Sequence, residues 1–308
     1  MPGLEGYLWK GDASSDEVDG HSLAYPFVAR ALASADPANA SLAAASLVDL
    51  ARYIVTSGFR LIDVTGLPTT WGHWDPNTIN YNRSAWSDTR GLNSVEILGL
   101  LVGGLAVTSA SDPDHALFAQ ALSTLRDAGY FRNAVNLKIE APSDDNYSDD
   151  ELALFAYLAF VHSARGLPEV TAEDWRLMNL SLTRTFNVVR AERSALWNSF
   201  FAIMGVLLDD EALADILWNL RTWQWELVSW PTMNSHRLDV IPDAENSGRS
   251  GGNDDALRVL PANERSQGRW NGDPYDLDGG DGLSEDDPGA FILSYWAARY
   301  AGVLDAPQ

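Results

Sequence analysis

Apolar residues recur three and four positions apart along most of this chain, the spacing that gathers them on one face of an α-helix. The pattern begins with four residues near the N-terminus: Leu23, Phe27, Val28 and Leu32. It predicts further helices over residues 42–54, 95–108, 114–127, 150–163, 172–192, 195–208, 211–228 and 290–301. Strand patterns are few, and the short segments 60–64 and 136–139 either pair or remain loop. We therefore expect an all-α fold of about nine or ten helices arranged as stacked hairpins.

Two Asp-Pro pairs mark the beginnings of predicted helices. They are Asp36-Pro37 and Asp112-Pro113. Proline is tolerated in the first turn of a helix, and an Asp side chain accepts hydrogen bonds from the free amides there. Each pair therefore predicts an N-cap followed by a helix.

The composition favours one large domain. The 308 residues are 46% hydrophobic, include 12 Trp, and contain no segment with the composition of a flexible linker. There are no cysteines, which excludes disulfides, thiolate metal sites and cysteine nucleophiles. We expect a single domain over residues 1–308.

The charge of the chain limits its partners. Lys and Arg number 21 against 43 Asp and Glu, giving a formal charge of −22. Such a surface repels phosphate backbones and anionic lipids, so we expect no nucleic-acid or membrane partner, while a small-molecule or oligosaccharide substrate remains open. A salt or solubility adaptation explains the charge equally well, and the oligomeric state is left open.

The sequence also predicts a soluble protein. The N-terminal residues lack the basic and apolar regions of a signal peptide, and the apolar stretch 97–107 is too short to span a bilayer. We expect a cytoplasmic protein as the sequence stands, or a secreted one if a signal peptide has been removed.

Three predicted helix starts combine a serine with acidic residues. They are Ser14 to Glu17, Ser148 to Glu151 and Ser284 to Asp287, with a weaker version at residues 93–96. Capping alone explains each case, because acids favour the positive end of the helix dipole. Each start also adjoins loops rich in Trp, His, Asn and Gly, which capping does not require. These acids are therefore predicted to converge on one pocket.

The first of these segments pairs an acid with a histidine. Glu17 and His21 are spaced i,i+4, so on a helix they share a face and can serve as a general acid/base pair. The alternative is a solvated first turn that is capped with the help of Asp16.

A long loop over residues 61–90 contains three tryptophans, Trp71, Trp74 and Trp86, together with His73 and Arg90. Flat aromatic faces stack on sugar rings while polar side chains hydrogen-bond to the hydroxyls, so this loop predicts a sugar-binding wall. The alternative is packing of the indoles across one end of the domain.

A second loop, over residues 269–288, is rich in Asp and Gly. Its spacing does not match an EF-hand. The five histidines show no close ligand pair, and phosphate-binding glycine loops are absent. We expect no metal and no cofactor, with the alternative of calcium at Asp276, Asp278 and Asp281. A substrate-facing loop or a solvated turn is the favoured interpretation.

The serial hairpins, the Ser-Asp-Glu helix starts and the Trp-Gly-His-Trp sequence at residues 71–74 together resemble the six-hairpin α/α-toroid group of glycoside hydrolases and polysaccharide lyases. The resemblance implies an α/α toroid, with helical hairpins around a central pocket and long irregular loops at one end. It also implies a site at the N-terminal ends of the inner helices. That site would use paired carboxylates for hydrolysis or hydration, or Tyr and His for elimination from a uronate.

We therefore predict a glycoside hydrolase with an acid/base pair drawn from Asp16 or Glu17 and from Asp150 or Glu151, with His73 and His21 tuning or orienting it. The predicted substrate-binding residues are Trp71, Trp74, Arg90, Asn93, Trp197, Asn198, His236, Trp270, Asn271, Asp273 and Asp278. Loop arginines that would meet a uronate are few, which favours hydrolysis over elimination. The alternatives are a lyase, isomerase or terpene-type cyclase in the same kind of pocket, or a non-enzymatic glycan- or protein-binding module.

Overall fold

The computed structural model describes Gly6 and Trp86, together with residues 11–81, 89–137, 147–243, 255–266, 268–269 and 272–305. It is mostly helical, which confirms the all-α class. Residue contacts divide the chain into two compact units, and the single domain over residues 1–308 stays a prediction. The described residues of unit 1 fall within 1–137 and 155–178, and those of unit 2 within 138–154 and 179–308.

Unit 1 is built around one buried helix. Its helices are α1 (Ser15–Leu32), α2 (Pro37–Thr56), α3 (Arg90–Val107), α4 (Pro113–Asp127) and α5 (Tyr130–Val135). Helix α3 contacts each of the other four. It is long and apolar enough to cross a membrane, but it is 83% buried, as the core helix of a soluble protein is.

Two helices contribute residues to both units. They are α6 (Tyr147–Ala164) and α7 (Ala172–Val189). Helix α7 ends at Val189, three residues before the end of the predicted helix 172–192. The last three residues, Arg190–Glu192, form a 3₁₀ turn.

A β-hairpin precedes α3. Strand β1 (Arg60–Ile62) pairs antiparallel with β2 (Pro68–His73), so the first three residues of the predicted strand at 60–64 pair, whereas Asp63 and Val64 lie in the connecting turn. A π-helix over Asn77–Tyr81 follows. Of the other predicted strand, Asn136 and Leu137 are not in a strand, and residues 138–139 lie outside the described residues.

Unit 2 contains α8 (Ala195–Met204), α9 (Asp210–Arg221) and α10 (Gly289–Tyr300), which contact one another. Short strands β3 (Thr232–Met233) and β4 (Asp278–Gly279) pair antiparallel, and 3₁₀ turns lie at Asn234–His236 and Ala262–Glu264. Helices α8 and α9 are shorter than the predicted spans 195–208 and 211–228. Helix α8 ends where Gly205 adopts a left-handed conformation (φ 94°), which glycine adopts without strain.

The predicted Asp-Pro caps are confirmed. The Asp36 carboxylate accepts a hydrogen bond from the Asn39 amide at 3.2 Å, and Asp112 accepts one from the Asp114 amide at 2.9 Å. These carboxylates accept hydrogen bonds from first-turn amides that have no carbonyl partner within the helix.

Candidate active site

The acids at the start of α1 take part in capping. Ser14 and Glu17 form a capping box, in which the Ser14 amide donates to Glu17 Oε2 at 2.7 Å. Asp16 Oδ1 accepts a hydrogen bond from the Ser14 hydroxyl at 2.6 Å. Both acids are exposed, as is His21, whose ring stacks on Tyr25 at 5.0 Å. The capping interpretation therefore describes the contacts that this segment makes.

The start of α3 and strand β2 form a buried polar cluster in unit 1. The Trp74 indole donates to Glu96 Oε2 at 2.8 Å, and both residues are almost fully buried. The Asn93 amide donates to the His73 carbonyl at 3.0 Å. Trp74 and Asn93 therefore join the hairpin to the core helix, and the Trp74 ring has no exposed face for a sugar.

Asp75 and Arg60 form an ion pair next to His73. Two hydrogen bonds, at 2.8 and 3.1 Å, join the Arg60 guanidinium to the buried Asp75 carboxylate. Burial opposes the charge of Asp75, but hydrogen bonds from Arg60 and Thr78 outweigh it and lower the Asp75 pKa. His73 Nδ1 lies 3.7 Å from Asp75 Oδ2.

Trp71 has an exposed aromatic ring in this region. It is 56% exposed, and its ring meets Trp86 edge-on at 6.1 Å. Arg90 donates to the Ile79 carbonyl at 2.8 Å, so its guanidinium holds the π-helix against the start of α3. Trp71 and His73 both contact Trp86, and Asn93 is hydrogen-bonded to the His73 carbonyl, while the sugar-binding role of these residues stays a prediction.

Unit 2 holds a second group of acids at the start of α6. Asp150 and Glu151 are 6% and 7% exposed, which is unusual for carboxylates. Glu192, which the sequence analysis did not single out, is 4% exposed. These three acids are therefore candidates for chemistry that a capping role does not explain.

The turn after α7 directs Glu192 inward. The next residue, Arg193, has a left-handed backbone (φ 55°), uncommon for a non-glycine residue. The Arg193 guanidinium donates to Asp215 Oδ1 at 2.6 Å and lies 3.8 Å above the Trp218 ring. These contacts of Arg193 stabilise the turn of the chain next to Glu192.

The surroundings of Glu192 favour its protonated form. Burial raises its pKa well above the usual value, the charge of Asp150 raises it further, and a hydrogen bond from Trp197 acts in the opposite direction. Within the described part of the chain, Glu192 Oε1 is buried with no hydrogen-bond partner. A buried carboxyl oxygen without a hydrogen-bond partner in the protein can bind a ligand or a water molecule.

Asp273 and Arg265 lie close to the same carboxyl group. Burial raises the pKa of Asp273, while hydrogen bonds from the Tyr275 amide, at 2.8 Å, and from Tyr147 lower it. Burial lowers the pKa of Arg265 to about 10, and the charges of Glu192 and Asp273 oppose that shift. The group therefore combines acids, a cation and tyrosine hydroxyls.

A cavity of about 30 Å³ adjoins this group, which is room for one water molecule. Glu192, Arg265 and Trp223 line it, with Arg269, Gly272 and Pro274 on its loop side. Glu192 is therefore a buried acid in contact with a water-sized space.

Three aspartates of unit 2 could hold a metal ion. Oxygen atoms of Asp255, Asp273 and Asp276 lie within 4.8 Å of one another, the ligand type that calcium prefers. Asp276 belongs to the predicted calcium set, whereas Asp278 accepts a hydrogen bond from the Ser235 amide at 2.9 Å and Asp281 accepts one from the Leu283 amide at 2.8 Å. The cation alternative thus involves a different trio from the predicted one.

The remaining predicted site residues belong to unit 2. Trp197 is buried beside Glu192, and Asn198 donates to the Ala212 carbonyl at 3.1 Å. His236 is exposed in its 3₁₀ turn. Trp270 and Asn271 lie outside the described residues.

The structure brings Asp150, Trp197 and Asp273 of the predicted set together around Glu192. Nothing in the sequence distinguishes Glu192, because it lies at the end of an ordinary amphipathic helical pattern and belongs to no acid-rich or tryptophan-rich segment. Arg265 is one of the few loop arginines that the sequence offers to a uronate substrate. Comparison with protein-family models, curated proteins and solved structures finds no match for this chain.

Proposed function

We propose that this protein is a carbohydrate-active enzyme, a glycoside hydrolase in which Glu192 is the general acid and Asp150 the second carboxylate. The single observation that carries the proposal is the buried Glu192 carboxyl, which faces a water-sized cavity and lies close to a second buried acid. This pair lies within unit 2 and replaces the predicted pair that included Asp16 or Glu17, whose carboxylates are exposed helix caps.

Hydrolysis of a glycosidic bond requires two carboxyl groups in different protonation states. The protonated one donates its proton to the leaving oxygen. The ionised one either attacks the anomeric carbon or activates a water, and the separation of the two groups decides between retention and inversion. Burial and the Asp150 charge raise the Glu192 pKa and so favour the protonated form that a general acid uses.

The neighbouring side chains suit a neutral saccharide. Trp223 lines the cavity, and the indole of Trp197 contacts the acid itself. The partly exposed Trp223 is the indole that can stack on a sugar ring, while Arg265 and the tyrosines near Asp273 are of the type that hydrogen-bonds to hydroxyls. The saccharide would lie at the opening of the cavity, with its leaving oxygen within hydrogen-bond reach of Glu192. The α/α-toroid arrangement implied by the resemblance is part of this proposal, and the serial order of the helices supports it.

The test is turnover of a panel of neutral oligosaccharides, followed by the appearance of reducing ends. We expect Glu192→Gln to lower kcat by at least about 100-fold, the usual size of a general-acid contribution. Glu211→Gln is the matched control, because Glu211 is an exposed acid on α9. The proposal is overturned if folded Glu192→Gln retains full turnover, or if no oligosaccharide is cleaved. A loss at Asp16 or Glu17 instead would favour the predicted pair.

An elimination reaction on a uronate is a second candidate, because Arg265 and Arg269 line the cavity and could meet a substrate carboxylate. The two reactions give different products. Elimination forms an unsaturated end that absorbs ultraviolet light, whereas hydrolysis forms a reducing end without a chromophore. Absorbance during turnover of an oligouronate therefore discriminates between them.

A further inference from the structure

Unit 1 contains a much larger cavity, of about 580 Å³. Residues from α1, α2 and the C-terminal end of α3 line it, together with His162 to Leu167 at and beyond the end of α6. A volume between roughly 300 and 1,000 Å³ is usual for a small-molecule site. None of its lining residues belongs to the Glu192 group of unit 2.

The charge of this cavity is opposite to that of the protein. Arg30 and Arg165 line it, and its described lining contains no Asp or Glu. The chain as a whole carries a formal charge of −22. A local positive charge in such a protein attracts an anion to this cavity rather than to the surrounding surface.

Uncharged polar groups accompany the arginines. Ser163 is 5% exposed, and its hydroxyl has no hydrogen-bond partner among the described residues. His162 stacks on Phe27 at 3.6 Å. Burial lowers the His162 pKa to about 4, with smaller contributions from the charges of Arg30 and Arg165, so the ring is neutral at pH 7. The unpartnered hydroxyl is a group that a ligand would satisfy.

The rest of the lining is apolar and made of small side chains. Pro26, Ala29, Ala40, Ala44 and Val107 contribute to it. Small side chains leave the space open, and apolar walls favour a hydrocarbon body over a fully hydrated ion. Inorganic phosphate would leave these walls without a partner.

We propose that this cavity binds a small organic anion that carries one carboxylate on an apolar body. The carboxylate would accept hydrogen bonds from Arg30, Arg165 and the Ser163 hydroxyl, and the apolar body would contact the alanines and prolines of α1 and α2. The site is independent of the proposed hydrolase centre.

The simpler explanation of the arginines is that they compensate helix dipoles. Arg30 lies in the last turn of α1, and Arg165 follows the end of α6. That role requires neither a cavity nor an unpartnered serine, and it predicts no preference for a carboxylate. The experiment therefore compares a carboxylate with its neutral isostere.

The test is NMR titration of the intact protein with hexanoate, hexanamide and inorganic phosphate. We expect saturable binding of hexanoate, and binding of hexanamide that is weaker by about tenfold or more, the effect of losing a charge-assisted hydrogen bond. The proposal is overturned if hexanoate and hexanamide bind equally tightly, or if hexanoate shows no saturable binding. It is also overturned if phosphate binds as tightly as hexanoate.

Variants locate the bound anion. Arg30→Gln and Arg165→Gln should each weaken hexanoate binding roughly tenfold, and Ala44→Trp should abolish it by filling the space. Arg176→Gln is the matched control, since it removes the same charge from an exposed arginine of unit 1 that pairs with Glu173. If Arg176→Gln weakened hexanoate binding as much as Arg30→Gln, a specific site in this cavity would be contradicted. The comparison of hexanoate with hexanamide uses the unaltered protein and does not depend on the folding of any variant.

Discussion

Glu192 and Asp150 are both buried carboxylic acids of unit 2, and the charge of Asp150 adds to burial in raising the pKa of Glu192. Two acids that share a poorly solvated environment do not ionise independently, so one of them retains its proton to a higher pH. This asymmetry is what acid/base chemistry at neutral pH requires.

The raised pKa of Glu192 predicts a pH dependence of stability. Between its ordinary pKa of 4.5 and its higher value in the folded protein, the folded state holds a proton that the unfolded state has released. Stability should therefore fall as pH rises through this range. Glu192→Gln removes the titrating group. The free energy of unfolding of the variant, minus that of the wild type, should therefore increase as pH rises. Urea denaturation at several pH values from 4.5 to 8 measures this difference, and parallel curves would contradict it.

His162 should titrate far below an ordinary histidine. Its pKa is lowered from 6.5 to about 4, first by burial and then by Arg30 and Arg165. As pH falls from 6.5 towards 4, the unfolded chain binds a proton that the folded protein does not, so His162 reduces stability over this range. NMR titration of the ring protons should give a midpoint near 4. Arg30→Gln should raise that midpoint, and a midpoint at 6.5 would be incompatible with the described burial.

Removal of the Asp75 carboxylate should destabilise the hairpin. Asp75 is buried whereas Arg60 is 37% exposed, so Asp75→Asn removes two charge-assisted hydrogen bonds from a partly solvated guanidinium, and we expect a loss of about 2 kcal/mol in the free energy of unfolding. Asp49→Asn is the control, because the Asp49–Arg52 pair is exposed and should contribute less than about 1 kcal/mol. Urea denaturation of both variants provides the comparison, and equal effects would refute the prediction.

Two helical glycines should respond in opposite directions to alanine. A Cβ at Gly104 of α3 would lie 2.8 Å from the Phe118 ring, so Gly104→Ala should cost about 1–3 kcal/mol through overpacking. A Cβ at Gly20 of α1 would have no neighbour within 4 Å, so Gly20→Ala should stabilise by roughly 0.5–1 kcal/mol. Thermal unfolding should show a lower Tm for the first variant and a higher one for the second; the same sign for both would contradict the packing around α3.

Local features were predictable wherever a short stretch of chain determines them. The Asp36 and Asp112 caps, the helical class and most helix spans follow from periodicity and from contacts a few residues apart. Boundaries failed where backbone geometry intervened, as at Gly205, where α8 ends before the predicted limit. Trp74 illustrates a different difficulty: its indole and Glu96 are far apart in sequence, so no local pattern distinguishes its hydrogen-bonded core position from a sugar-binding one.

By itself, the sequence determined that this chain is acidic, mostly helical and begins several helices with capping acids, because composition, periodicity and capping act over one or two turns. Only the tertiary structure decided which acids are buried. The Glu17 carboxylate remains at the surface as a cap, whereas Glu192 is enclosed next to Asp150. The physical reason is that desolvation and charge repulsion depend on residues brought together from distant parts of the chain, and a linear pattern of acids does not encode those distances.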